Sequence, residues 1–181
     1  MTTTTGLFVG RFQPFHKGHM ETVRFALKSV DTLVMVVGSA QKSHEMRNPF
    51  TAGERIMMIK ASLDAGKKNM DSCRVLIVPV PDVDVHALWT RQVDMLVPKY
   101  DFVFANDPFT LLLFRERGVK TVEAPLYERN RMMATEVRRR MAEGEDWQEL
   151  VPTQVAAAIK AINGEERVKA IVAQRDHGGI H

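Results

Sequence analysis

Two histidines, His16 and His19, end a segment that begins at Gly10 and reads Gly-Arg-Phe-Gln-Pro-Phe-His-Lys-Gly-His. Three residues apart on a helical turn, the imidazoles share one face, where both can donate hydrogen bonds to the oxygens of a reacting phosphate. Gly10 permits a turn out of a strand without a Cβ clash, Pro14 stiffens the turn, and Gly18 permits close approach of a phosphate. The segment therefore predicts a site for phosphate chemistry.

Two other interpretations of the histidine pair are weaker. Histidines without a role would not explain the two glycines and the proline that surround them. A zinc site would need further ligands, and no cysteine, aspartate or glutamate nearby completes a set. We therefore predict no metal bound by protein side chains alone.

The segment is expected at a strand-to-helix junction in an alternating pattern of strands and helices. Apolar runs predict five strands, at residues 6–10, 32–38, 74–79, 101–105 and 119–124. Helical patterns cover residues 19–30, 51–65, 87–97, 135–143, 152–163 and 165–174, and a short helix after the fourth strand ends at residue 117. Thr51 and Glu54 have capping-box spacing, and Asn163-Gly164 is typical of a helix C-cap.

Strands that are nearly all apolar and alternate with helices predict a parallel sheet covered on both faces. We therefore expect an α/β fold: a single doubly wound, Rossmann-like domain over residues 6–175. Residues 6–125 would form the α/β core and residues 126–175 the C-terminal helices, between a flexible leader at 1–5 and a frayed tail at 176–181. Ligands of such sheets bind at the carboxyl ends of the strands.

Composition narrows the class of protein. A hydrophobic fraction of 45% suits a globular chain, and a net charge of +3 favours anionic ligands. No apolar stretch approaches the ~18 residues that span a bilayer, so no membrane contact is expected. The single cysteine, Cys73, is interpreted as a buried or strand-edge residue; it cannot form an internal disulfide, which fits a cytoplasmic location.

The sequence His16-Lys-Gly-His19 resembles the His/Thr-x-Gly-His signature of a superfamily of nucleotidyltransferases and class I aminoacyl-tRNA synthetases. No Lys-Met-Ser-Lys-Ser loop is present, which argues against a synthetase. The longer string from Gly10 is similar to archaeal nicotinamide mononucleotide (NMN) adenylyltransferases, and the resemblance runs over about residues 6–170. It implies that ATP and NMN react to give NAD and pyrophosphate, with Mg²⁺ accompanying ATP, in a cytoplasmic homo-oligomer that the family suggests is a hexamer.

The resemblance also implies roles for single residues. His16 and His19 would contact the α-phosphate, and the β- and γ-phosphates would be held by Arg11, Arg47 and Arg138. The remaining ATP site would consist of Gly10, Phe12, Gly18, Asn106 and Thr135. Trp89 would stack on the cationic nicotinamide ring of NMN, although a core aromatic is the commoner fate of a tryptophan, and Asp82 would contact the same substrate.

The segment around Thr135 departs from the family pattern. Met133-Ala134 stands where a serine-containing pair is usual. Thr135 is expected as the N-cap of a helix that carries Arg138 one turn later, and Arg139 and Arg140 are expected in salt bridges.

The sequence leaves two histidines without a role and two alternative functions open. His44 and His86 receive no role, and His86 stands where the family would have a smaller amide. A different nucleotidyltransferase, acting on phosphopantetheine, FMN or glycerol phosphate, is the nearest alternative function. A non-catalytic nucleotide-sensing or RNA-binding module is the other, but only 7% of the residues are aromatic, which argues against base-stacking platforms and nucleic-acid binding.

Overall fold

A computed structural model describes residues 3–66, 72–125 and 133–177, with side chains as far as residue 174. The described residues form a five-stranded sheet in the order β3-β2-β1-β4-β5, in which every neighbouring pair is parallel. The strands are β1 (Thr5–Gly10), β2 (Thr32–Val37), β3 (Val75–Pro79), β4 (Phe102–Ala105) and β5 (Lys120–Glu123). The doubly wound α/β prediction is confirmed.

Seven α-helices accompany the sheet within the described residues. They are α1 (Lys17–Ala26), α2 (Ala52–Ala65), α3 (His86–Leu96), α4 (Pro108–Arg115), α5 (Ala134–Glu143), α6 (Thr153–Ala161) and α7 (Gly164–His177). Short 3₁₀ helices at Ser72–Arg74 and Gln148–Leu150 were not predicted, because three residues leave no periodic pattern.

Alternate residues of the strands feed two separate hydrophobic clusters, one on each face of the sheet. Phe8 of β1 and Met35 of β2 pack on one face with buried residues of α1, α2, α5 and α6. Leu7 and Val34, one position earlier in the same strands, pack on the other face with residues of α3 and α4. Successive residues of a strand point to opposite faces of the sheet. Strands that are nearly all apolar therefore need helices to cover both faces.

Helix ends agree with the sequence at α2 and differ at α5 and α6. At α2 the Thr51 hydroxyl accepts from the amide of Glu54, and the Glu54 carboxylate accepts from the amide of Thr51, as predicted. Helix α5 begins one residue early, so its N-cap is Met133, and the prediction that Thr135 caps it was wrong.

The predicted Asn163-Gly164 C-cap was half right. Asn163 takes the left-handed conformation, at φ 51°, but Gly164 is the first residue of α7. A Cβ on Gly164 would lie 2.9 Å from the Phe50 ring, so this glycine serves close packing between elements.

The chain boundaries were placed less accurately than the elements between them. Thr5 begins β1, and the Thr4 amide donates to the Asp31 carboxylate at 2.7 Å, so the predicted leader ends too late. Cys73 is exposed in the 3₁₀ helix directly before β3, so of its two predicted placements, buried or strand-edge, burial was wrong. Most of the predicted tail, from residue 178 onward, lies outside the described residues. None of the described helices has the length and apolarity needed to cross a bilayer.

Candidate active site

The candidate site lies where the strand order reverses. Strand β1 has β2 on one side and β4 on the other, so the loops after β1 and β4 diverge and leave a crevice at their carboxyl ends. A cavity of about 330 Å³ opens there. We call it the histidine cavity, and its lining includes Arg11, Phe12, Gln13, His16, Gly18, His19, Asn106, Asp107, Thr135 and Arg138.

The two histidines form a reciprocal cap at the start of α1. His16 is the N-cap residue, and its Nδ1 accepts from the His19 amide at 3.3 Å. The Nδ1 of His19 accepts from the His16 amide at 3.2 Å. The rings stack at 3.5 Å between centroids, with 22° between their planes. The pair thus does the work that Ser/Thr and Glu do in an ordinary capping box.

These hydrogen bonds assign the charge and tautomer of both rings. An Nδ1 that accepts carries no hydrogen, so each neutral ring has its hydrogen on Nε2. Burial, with the charge of Arg138, lowers the pKa of His16 to about 3. Burial, with the neighbouring His16, lowers the pKa of His19 well below its usual value. At neutral pH the cavity therefore has two uncharged Nε2–H donors.

Aromatic side chains fix the second histidine in place. The His19 ring stacks on Phe15 at 5.5 Å between centroids and meets the edge of Phe12 at 4.9 Å. Phe12 and Phe15 are buried in the core. The Phe12 ring also explains Gly10, because a Cβ at residue 10 would lie 2.8 Å from it. Gly10 is therefore required by close packing, and the left-handed residue of this turn is Phe12, at φ 52°.

Gln13 ties this loop to its neighbours, a role that the sequence did not reveal. Its side-chain amide donates to the carbonyl of Phe50 and accepts from the amide of Phe50, both at 2.9 Å. Its own carbonyl accepts from the Arg138 guanidinium at 2.7 Å. Gln13 is buried and hydrogen-bonded there, but nothing in the sequence around it signals that burial.

Two arginines, Arg11 and Arg138, line the histidine cavity, and a third, Arg47, lies near Arg138. Arg138 projects from α5 and is half-buried, whereas Arg11 and Arg47 are exposed. Burial, followed by the charges of Arg11 and Arg47, lowers the pKa of Arg138 to about 10. Arg11 and Arg138 line the same cavity, and Arg47 and Arg138 line a neighbouring one, so cations from two loops and from α5 lie together. A guanidinium group is a cation at neutral pH, so the site attracts anions.

Three other residues of α5, Arg139, Arg140 and Thr135, make different contacts. Arg139 and Arg140 both bind Glu136, each at 2.8 Å, which confirms the expected salt bridges. These contacts lower the pKa of Glu136 to about 2. Thr135 is exposed but lines the histidine cavity.

A second cavity, of about 810 Å³, adjoins the first. We call it the tryptophan cavity, and its lining includes Gly10, Arg11, Gly38, Ser39, Arg47, Asn48, Asp82, Asp84, His86, Trp89, Asp107 and Phe109. Trp89 is half-buried, and its ring meets the edge of Phe114 at 6.2 Å, so it belongs both to the margin of the core and to the cavity wall. Among the residues that the structure describes, its indole Nε1 has no hydrogen-bond partner.

Asp82 organises the wall opposite the tryptophan. Its carboxylate accepts from the Ser39 hydroxyl at 3.1 Å and pairs with Lys42 at 3.2 Å. Its amide donates to the Gln41 side chain at 2.9 Å. These contacts hold the loop after β2 against the loop after β3.

Two residues connect the cavities. Arg11 and Asp107 line both of them. Asp107 caps α4, where its carboxylate accepts from the Thr110 amide at 2.9 Å. Its neighbour Asn106 lines the histidine cavity, and its side-chain oxygen has no hydrogen-bond partner in the described part of the chain. Every predicted site residue therefore lines one of the two cavities.

Fold and cavity together define a nucleotidyltransferase-class enzyme, and comparison with known families agrees. The cytidylyltransferase-like family matches residues 7–140, from β1 to the last turn of α5. The nicotinamide-nucleotide adenylyltransferase of Pyrococcus furiosus is 45% identical over 92% of this chain and 88% of its own. That of Archaeoglobus fulgidus is 46% identical over 91% of this chain and 95% of its own. The chain belongs to the family of nicotinamide-nucleotide adenylyltransferases.

Solved structures show the same fold at lower identity. A bifunctional NMN adenylyltransferase/ADP ribose pyrophosphatase from Francisella tularensis, complexed with AMP and a manganese ion, superimposes with a TM-score of 0.76 at 21% identity. The match covers 97% of this chain and 54% of that one, so this chain spans about half the length of the Francisella protein.

Proposed function

We propose that this enzyme transfers the adenylyl group of ATP to NMN, giving NAD and pyrophosphate. The single observation that carries the proposal is the pair of uncharged Nε2–H donors in a cavity that Arg11 and Arg138 also line. Such a site suits a reaction in which negative charge builds up on a phosphate and no group of the protein is modified.

The chemistry is an in-line displacement at the α-phosphorus. A 5′-phosphate oxygen of NMN attacks the α-phosphorus. The bond between the α-phosphorus and the oxygen that bridges it to the β-phosphorus breaks, and pyrophosphate leaves with that electron pair. His16 and His19 donate from Nε2 to the α-phosphate oxygens. Since both rings are already neutral, they act as fixed donors and need not exchange protons with solvent during turnover.

The arginines bind the leaving group. Arg138, held in place through the Gln13 carbonyl, and Arg11 and Arg47 neutralise the β- and γ-phosphates. Adenosine occupies the rest of the histidine cavity, against the backbone of Gly18 and beside the residues Phe12, Asn106 and Thr135. Gly10, which lines the tryptophan cavity, bounds the ATP site on the side where the two cavities adjoin.

NMN occupies the tryptophan cavity. Trp89 offers an indole face to the cationic pyridinium ring. Asp82 and Asp84 line the same cavity and favour a positively charged base. The adjoining position of the two cavities, with Arg11 between them, brings the phosphate of NMN to the α-phosphate of ATP.

Mg²⁺ is proposed as part of the ATP substrate. The described residues contain no group of three or more histidine, cysteine or carboxylate side chains that would hold a metal ion. Phosphate oxygens and water supply the ligands that this ion prefers. A cytoplasmic location and a hexameric assembly belong to the same proposal and rest on the family resemblance.

The test is mass detection of NAD after incubation of the purified enzyme with ATP, NMN and Mg²⁺. Phosphopantetheine, FMN and glycerol phosphate serve as competing acceptors. Arg47→Ala and Arg138→Ala should each weaken ATP use by about 1.5–3 kcal/mol, the cost of a charged hydrogen bond. Turnover with another acceptor but not with NMN would refute the proposed substrate.

A further inference from the structure

Arg55 of α2 is a fully buried arginine that no part of the proposed chemistry uses. Its guanidinium donates to backbone carbonyl oxygens of Arg11 and Gly38, both at 2.8 Å, and of Ser39 at 3.0 Å. Its Nε donates to the Thr51 carbonyl at 3.2 Å. None of these four acceptors is a carboxylate, so the side chain binds loops and not a counter-ion.

The loops that Arg55 binds leave neighbouring strands side by side. Gly10 is paired with Val37 in the sheet, and the Gly38 amide donates to the Gly10 carbonyl at 2.9 Å. Arg11 lines both cavities, and Gly38 and Ser39 line the tryptophan cavity. One guanidinium therefore connects the loop of Arg11, which lines both cavities, with the loop of Gly38 and Ser39 in the wall of the tryptophan cavity.

Each loop contains a left-handed residue next to a carbonyl that Arg55 holds. Phe12, at φ 52°, follows Arg11, and Ser39, at φ 49°, follows Gly38. Side chains with a Cβ rarely adopt this conformation, and it persists only where surrounding contacts enforce it. The hydrogen bonds from Arg55 are contacts of that kind.

Arg55 also sets the direction of these peptide groups. The carbonyl and the following amide hydrogen of a trans peptide point in opposite directions. With the Arg11 and Gly38 carbonyls turned to Arg55, the amide hydrogens of Phe12 and Ser39 point away from it. A carbonyl oxygen turned toward the cavities instead would repel a phosphate.

We propose that Arg55 is a positioning residue that fixes both left-handed turns and, through them, the place of Arg11 between the two substrates. The inference rests on the proposed function. It predicts that a change at Arg55 impairs turnover with both substrates while the active-site side chains are all present.

Arg74 provides a matched control at the other end of the sheet. It precedes β3 and donates to the carbonyls of Asp31 at 2.7 Å and Leu27 at 3.0 Å. It too is an arginine that binds backbone carbonyls, but it lines neither cavity.

The experiment compares Arg55→Lys and Arg55→Met with Arg74→Lys, using melting temperature, kcat and the Michaelis constants for ATP and NMN. Lysine keeps the charge but cannot reach four carbonyls, and methionine keeps only the bulk of the chain. Measured well below each melting temperature, Arg55→Lys should lose kcat/KM by on the order of 100-fold, as for a small misplacement of reacting groups. Arg55→Met should lose more, and Arg74→Lys should lose melting temperature but little kcat/KM.

Two results would overturn the inference. One is wild-type kinetics in folded Arg55→Lys, or a loss no larger than in Arg74→Lys. The other is failure of Arg55→Lys to fold while Arg74→Lys folds, which would assign Arg55 to the fold alone. Failure of the proposed function would show separately, as absence of NAD formation by the wild-type enzyme.

Discussion

His16 and His19 each use one ring nitrogen for structure and keep the other for a ligand. Because Nδ1 of each ring accepts from the other residue's amide, neither ring can turn without uncapping α1. A donor held by the fold in this way loses little entropy when a phosphate oxygen arrives.

The two jobs of His19 can be separated by substitution. In His19→Asn the side-chain oxygen replaces Nδ1 as the cap acceptor, but nothing replaces Nε2. We expect kcat to fall by on the order of 10² or more, with a small change in melting temperature. In His19→Gln the amide nitrogen lies near the original Nε2, so part of the activity should return. Near-normal kcat in His19→Asn would exclude Nε2 from the reaction path.

The lowered histidine pKa values make stability depend on pH. Burial moves the pKa of His16 from 6.5 in the unfolded chain to about 3 in the folded one. The unfolded state therefore binds more protons between these limits, and stability falls as the pH drops below about 6.5. For His16 alone the free energy of unfolding should fall by about 2 kcal/mol between neutral pH and about pH 5.

Urea unfolding at both pH values measures this change. His16→Asn keeps a cap acceptor without a group that titrates, and should lose about 2 kcal/mol less than wild type over the same interval. Identical losses in the two proteins would show that the buried histidine does not contribute.

Single residues mark the limit of what the sequence could predict. Arg138 was found because a family motif points to it, and Arg139 and Arg140 because successive helical residues diverge. Arg55 gave no signal: an arginine inside a helix suggests an exposed residue, and only the tertiary structure shows four carbonyls around it.

At the scale of elements, periodicity predicted every strand and α-helix of the described residues, with ends that shift by a few residues. The wrong predictions lie at the ends of helices. Thr135 has the chemistry of an N-cap, yet α5 starts at Ala134. Gly164 has the composition of a C-cap, yet it lies under the Phe50 ring. The contact between Gly164 and Phe50 joins residues far apart in sequence and leaves no local pattern.

Two helical glycines should respond oppositely to alanine. A Cβ at Gly164 would lie 2.9 Å from Phe50 and 3.0 Å from Ile159, whereas a Cβ at Gly53 would meet nothing within 4 Å. Gly164→Ala should destabilise by about 1–3 kcal/mol through overpacking. Gly53→Ala should stabilise by about 0.5–1 kcal/mol, because it restricts the unfolded chain without a clash. The denaturant midpoints of the two variants measure these changes in stability. Equal shifts of the two midpoints would contradict the packing role of Gly164.

At the scale of the whole molecule, the site joins both halves of the sheet. The loops after β1, β2, β3 and β4 all contribute to the tryptophan cavity. A ligand that fills both cavities should therefore stabilise the fold as a unit. NAD at about 100 times its Kd should raise the melting temperature by about 5–10 °C.

Trp89 tests which cavity takes the nicotinamide. If the indole stacks on that ring, Trp89→Ala should raise the Michaelis constant for NMN by about 2- to 30-fold and leave that for ATP nearly unchanged. Trp89→Phe keeps an aromatic ring both for the substrate and for packing on Phe114, so it should show a smaller defect. A large fall in melting temperature with equal effects on both substrates would assign Trp89 to the core alone.

Arg11 lines both cavities, and this shared wall affects the release of the product from the enzyme. NAD consists of two tethered halves, AMP and NMN, and in the proposed reaction each half occupies one cavity. A bivalent ligand of this kind rebinds one end before the other has escaped, so its affinity exceeds that of either fragment. Departure of NAD should then limit the cycle, and accumulated NAD should slow the enzyme that forms it.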